Sequence, residues 1–188
     1  MKNHRLPWTA MALALAMTAP TAMLAANTTT ATTYSSAVYA ERTSELLKDV
    51  RAMAAKVAAS TDSLAVSIGT NQLHWTTHAW HLNQAKDGIN AIGEKLQTLQ
   101  LLRDSVHPWQ REAIDRIHLS SLNAARHTDS ALRYLNDNKR WLVAPSYQDD
   151  VIAIQAHADI VRNTANDFLN YASTKDKLGA LQERLMFE

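Results

Sequence analysis

Apolar residues between Trp75 and Leu99 recur at alternating steps of three and four residues, and this period constrains the fold more than any other feature of the chain. A period of 3.5 residues places one apolar stripe along an α-helix, as at the seam of an antiparallel bundle. No convincing strand alternation competes with it. The stripe consists of Trp75, His78, Leu82, Ala85, Ile89, Ile92, Leu96 and Leu99.

The same steps recur in three other segments, which are separated by sparse proline and glycine. The pattern predicts helices over about 35–59 and 71–104, a third from Pro108 to a connection at 138–146, and a fourth from Tyr147 onward. Four long helices with short connections favour an up-down-up-down arrangement. The sequence therefore predicts an all-α, antiparallel four-helix bundle with a short C-terminal helical extension.

Three details stay open at this level. Residues 64–68 fit either a short turn or a ragged extension of the first helix, and the leucines between 178 and 185 either continue the fourth helix or dock separately. Gly88 and Gly93 lie near the seam of the second helix. A missing side chain there permits close approach of a neighbouring helix, at a cost in helix propensity.

The N-terminal region has the pattern of a secretory signal peptide. Lys2 and Arg5 precede a short apolar run over about 10–17, and small residues follow up to Ala26. The run is too short to span a membrane. We therefore expect residues 1–26 to be a signal peptide that exports the protein.

The remaining sequence predicts a disordered, polar, Thr-rich N-terminus over 27–34 and one bundle domain over 35–188. The chain has no cysteine, which excludes disulfides, thiolate metal sites and covalent c-type haem attachment. An exported, cysteine-free chain with an Ala-rich leader suits a bacterial periplasm. We expect no membrane span in the mature protein.

Charge and motifs narrow the function. The formal net charge is +1 without a basic run, which argues against nucleic acid or an anionic membrane as partner. No phosphate loop, nucleophile elbow or zinc-protease motif occurs, so we expect no enzyme. Three apolar residues in the third connection, Trp141, Leu142 and Val143, should fold over the bundle end or contact a protein partner or a second copy. The leading hypothesis is an exported protein that acts by binding or association.

A second hypothesis comes from a row of histidines. His74, His78 and His81 fall on one face of the second helix, and imidazole is a good ligand for Zn, Cu or Ni. His157 in the fourth helix is predicted at a similar height and is the candidate fourth ligand. A b-type haem held by Met53 and a histidine, or by His78 and His157, is a weaker alternative because such a methionine is ordinarily core. The structural interpretation is hydrogen bonding of these histidines to backbone or to neighbouring threonines.

Overall fold

Four long helices and one short 3-10 turn make up the part of the chain that the structure describes. The structure is a computed structural model that describes the backbone of residues 22–70 and 74–186 and the side chains of residues 37–68 and 74–186. The predicted all-α four-helix bundle is confirmed. The elements are α1 (Ala22–Thr70), α2 (Trp75–Leu102), the 3-10 turn (Arg103–Ser105), α3 (Pro108–Asp137) and α4 (Pro145–Met186).

The chain divides into two units, Met1–Tyr34 and Ser35–Glu188. The part of α1 from Ser35 onward belongs to the second unit, together with α2, α3 and α4. Residues 1–21 lie outside the described residues, so the signal peptide stays a prediction.

Neighbouring helices run antiparallel, as cross-helix contacts show. Just past the middle of α1 the Asp49 carboxylate pairs with Lys95 late in α2, while Ser60 further along α1 bonds to His81 nearer the start of α2. The α3–α4 pair shows the same reversal. Trp109 at the start of α3 stacks on Phe168 far along α4, and His127 pairs with a residue in the second turn of α4.

One apolar core runs between the helices. In α2 the buried residues are the predicted stripe from His78 to Leu99, and the predicted seam of α3 from Ile114 to Leu135 is likewise buried. In α4 the seam is buried from Tyr147 to Ala165. Each buried Leu, Ile or Val side chain contributes about 1.5–3 kcal/mol relative to exposure, so these seams hold the bundle together.

Helix α1 is longer than the sequence predicts. It includes residues 27–34, for which disorder was expected, because no proline or glycine interrupts residues 21–68. Its C-terminal part also continues through 64–68 as a helical extension. The hydroxyls of Thr61 and Ser63 donate to carbonyls four residues earlier, at 3.0 Å each, instead of capping a helix end.

Helix α4 continues unbroken to Met186, so the C-terminal leucines extend α4 and do not form a separate element. Helix α2 is shorter at both ends than predicted, beginning at Trp75 and giving way to the 3-10 turn after Leu102. Among the described helices, none is both long enough and apolar enough to cross a membrane.

The two seam glycines differ in their surroundings. A Cβ added at Gly88 would lie 2.5 Å from Cγ2 of Val57 on α1, so the predicted close approach is confirmed there. A Cβ added at Gly93 would meet nothing within 4 Å, so this glycine mediates no close approach.

Candidate functional site

A buried histidine–tyrosine pair lies at the end of the bundle where α2 and α4 begin. His78 is 3% exposed, and its Nδ1 shares a 2.9 Å hydrogen bond with Oη of Tyr147, a fully buried side chain. The two rings also stack, with centroids 5.7 Å apart. The 3.5-residue period places both residues in their seams, and the parallel course of α2 and α4 brings their first turns together.

The pair extends to the connection between α3 and α4. Tyr134, near the end of α3, stacks on Tyr147 with centroids 5.3 Å apart. Its hydroxyl donates a 2.9 Å hydrogen bond to the carbonyl of Trp141. We call His78, Tyr147, Tyr134 and the Trp141 carbonyl the histidine–tyrosine network; it ties the third connection to the core.

The electrostatics of this network favour neutral groups. Burial raises the pKa of the Tyr147 phenol far above its usual value, so the hydroxyl keeps its proton at neutral pH. Burial also lowers the pKa of His78, and repulsion from the nearby His81 lowers it further. A neutral phenol beside a neutral imidazole can share one hydrogen bond without a buried charge.

The other two histidines of the row have separate partners. His74 is the residue before the first turn of α2, where its Nδ1 shares a 3.2 Å hydrogen bond with the Thr76 hydroxyl. His81 shares a 3.3 Å hydrogen bond with the Ser60 hydroxyl of α1. The three imidazoles therefore contact a threonine, a tyrosine and a serine on different elements, and only His74 has the neighbouring-threonine partner that the structural interpretation named.

His157 lies against α3 and not beside His78. Its ring stacks on His127 of α3, with centroids 5.8 Å apart and planes at 19°. His127 in turn pairs with Asp150, whose Oδ1 is 2.9 Å from Nδ1 of that imidazole. Sequence reasoning missed the His127–Asp150 pair. The sequence does contain a signal for it, because Asp150 and His157 are one heptad apart on α4 and so share a face.

A metal ion has no prepared site among the residues that the structure describes: no three His, Asp or Glu side chains there form a group that could hold one. The nearly parallel rings of His127 and His157 do not converge on a common point. Binding of Zn, Cu, Ni or haem by His74, His78, His81 and His157 stays a prediction.

The three apolar residues of the third connection, which joins α3 to α4, differ in how far they are buried. Leu142 packs against the core and Val143 is half-buried, so this part folds over the bundle end as expected. Trp141 instead points outward and is 65% exposed. Next to it, Lys139 places its ammonium 4.7 Å from the centre of the Trp75 ring, a cation–π contact that covers the start of α2.

A second aromatic cluster lies at the other end of the bundle. The Trp109 ring stacks on His107 and on Phe168, and it meets Tyr171 edge-on with centroids 5.2 Å apart. Its indole N–H is buried and has no hydrogen-bond partner. An open pocket of about 440 Å³ adjoins it, beside Thr164. The cluster closes the core where α3 begins.

The structure is an all-α four-helix bundle, and one end of it carries a buried histidine–tyrosine network beneath an exposed tryptophan. Comparison of the chain with known protein families, curated proteins and solved structures finds no match. A function for this chain has to be inferred from the geometry of its own residues.

Three histidines, of which His78 is buried and His81 and His157 are partly buried, make the stability of the bundle depend on pH. Burial lowers the pKa of His78, His81 and His157 below the ordinary value of 6.5, so the unfolded chain binds protons at a higher pH than the folded chain. We therefore expect full stability above pH 6.5 and a loss as the pH falls through the lowered values. Urea unfolding between about pH 8 and about pH 5.5 measures this.

The matched variants are His157→Gln and, at an exposed position of α3, His118→Gln. The first is expected to reduce the pH dependence of the unfolding midpoint, and the second to leave it unchanged. A wild-type midpoint that stays constant or rises on acidification would contradict the prediction.

Proposed function

We propose that this protein is an exported, non-enzymatic helical bundle that acts by association through the end that carries Trp141. Export follows from the predicted signal peptide at 1–26. The observation that carries the proposal is a tryptophan 65% exposed on a loop whose backbone is fixed. Aromatic residues of this kind supply much of the binding energy at protein interfaces.

The fixed backbone matters because the loop is already ordered before a partner binds. The carbonyl of Trp141 accepts a hydrogen bond from Tyr134, and its N–H donates a 2.9 Å bond to the Asn138 carbonyl. Leu142 packs beneath it against the core. A side chain presented from such a support loses little conformational entropy when it is buried by a partner.

The partner that we propose is a second copy of this chain. A two-fold interface needs a patch that complements itself, with both signs of charge around an apolar centre. Lys139 and Arg140 precede Trp141, while Asp137 ends α3 and Asp149 lies in the first turns of α4. In the part of the chain that the structure describes, none of these four takes part in an ion pair. Arg140, Asp137 and Asp149 are therefore open to pairing across a two-fold axis, while the Lys139 ammonium lies over the Trp75 ring.

The test is the self-association constant of Trp141→Ala, measured by light scattering or sedimentation over a range of protein concentrations. We expect dissociation to become easier by at least about tenfold, or ~1.4 kcal/mol, because the central aromatic is lost. Leu101→Ala is the matched control, since Leu101 is 85% exposed at the opposite end of the bundle. A monomeric wild type, or an unchanged constant in Trp141→Ala, would rule out the proposal.

A further inference from the structure

Helix α4 continues past the place where α3 begins. Trp109, in the first turn of α3, packs on Phe168 and Tyr171, and α4 then extends to Met186. We call residues 173–186 the α4 tail. Every residue of the tail is exposed except the partly buried Gly179.

Three leucines form an apolar stripe on the tail. Leu178, Leu181 and Leu185 are 56%, 55% and 75% exposed and have the i, i+3, i+7 spacing of one helix face. On an ideal helix they lie within about 60° of one another, and roughly 160° from the α4 seam that faces the core. The leucine stripe therefore points away from the bundle.

Basic and acidic residues lie on different sides of this stripe. By the same geometry Lys175 lies along one border, and Lys177 and Arg184 along the other, each roughly 70–95° from the stripe centre. Asp176 and Glu183 fall on the opposite face. No ion pair involves any of these five within the described residues. The formal net charge of the whole chain, +1, conceals this local separation.

We infer that the α4 tail docks on an anionic lipid surface, lying in the plane of the interface. The leucines reach the acyl boundary, and the long side chains of Lys175, Lys177 and Arg184 extend sideways to the lipid phosphates. The acidic face is turned away from the lipid. A second copy is a poorer occupant, because pairing two stripes brings the basic borders of both copies together.

The chain contains no cysteine, so a single introduced cysteine can carry a reporter. Gln182→Cys places an environment-sensitive fluorophore beside the leucine stripe and leaves all three leucines in place. In the full chain, we expect its emission to shift to shorter wavelength with vesicles that contain phosphatidylglycerol, and not with pure phosphatidylcholine vesicles. Leu101→Cys, on the exposed end of α2, is the control position.

Substitutions in the chain that carries the fluorophore test separately how the leucines and the basic residues contribute to vesicle binding. Leu181→Glu is expected to weaken vesicle binding by at least about tenfold, and Lys177→Gln with Arg184→Gln by several-fold with a loss of salt dependence. Leu101→Glu should leave binding unchanged, because it makes the same change at another exposed leucine. The helical content of each variant is checked by circular dichroism.

Three results would overturn the inference. One is the absence of a shift at position 182 with anionic vesicles, and another is an equal shift with phosphatidylcholine alone. The third is a shift that grows with protein concentration in the absence of lipid, which would place a second copy on the stripe.

Discussion

Tyr147→Ala is expected to lower the free energy of unfolding by about 3–5 kcal/mol, a large share of the 5–15 kcal/mol typical of a domain. Tyr147 is fully buried, and its ring stacks on the rings of His78 and Tyr134. Truncation removes those contacts, leaves a cavity and strands the Nδ1 of His78. Urea unfolding at neutral pH gives the change directly.

Tyr147→Phe separates the hydrogen bond from the packing. The ring remains, but the hydroxyl that bonds to His78 is lost inside the core, and a buried unpaired nitrogen costs about 1–3 kcal/mol. Tyr134→Phe is the matched control because its hydroxyl bonds to the Trp141 carbonyl at an exposed position. We expect this control to lose less than about 1 kcal/mol. A Tyr147→Phe protein as stable as wild type would show that the buried bond contributes no net stability.

Gly88→Ala and Gly93→Ala are expected to change stability in opposite directions, although both replace glycine by alanine in the same helix. At Gly88 the new methyl group overlaps Val57, a buried and stiff β-branched side chain, and overpacking of this kind costs about 1–3 kcal/mol. At Gly93 the methyl group enters open space, so the gain in helix propensity of about 0.5–1 kcal/mol is kept. The same unfolding measurement compares them.

The clash at Gly88 can be tested by relieving it. Val57→Ala removes the atom that the new methyl group meets, so Gly88→Ala should cost less in that background than in wild type. Equal costs in the two backgrounds would show that the destabilisation has another source. A stabilising Gly88→Ala would show that α1 and α2 can separate slightly at no cost.

Much of the fold can be predicted from the sequence because helical periodicity is local. The positions of His78 and Tyr147 in buried seams follow from counting steps of three and four. Helix ends are harder to predict. Thr61 and Ser63 are good capping residues in isolation, yet their hydroxyls bond back to carbonyls of α1, which continues as a helix. There the local preference for capping is outweighed by the packing of Leu64 and Ile68 in the core, for which the helix has to continue.

The candidate site is less predictable because it depends on helix register. The sequence suggests that His157 lies at the height of His81, since both lie about ten residues into parallel helices. In the structure His78 meets Tyr147 at the first turn of α4, and His157 meets His127. A few residues of axial offset are enough to exchange one partner for another.

The four antiparallel helices, the buried side of each helix and the place of His78 in the core can all be predicted from the sequence. Each follows from a rotation of about 100° per residue along one helix. Which side chains meet depends on how the helices pack against one another. The axial offsets between helices are set by packing across the interfaces, as where Gly88 admits Val57, and no single helix contains that information. The histidine row is thereby divided among a threonine, a tyrosine and a serine, and Trp141 is left at the surface.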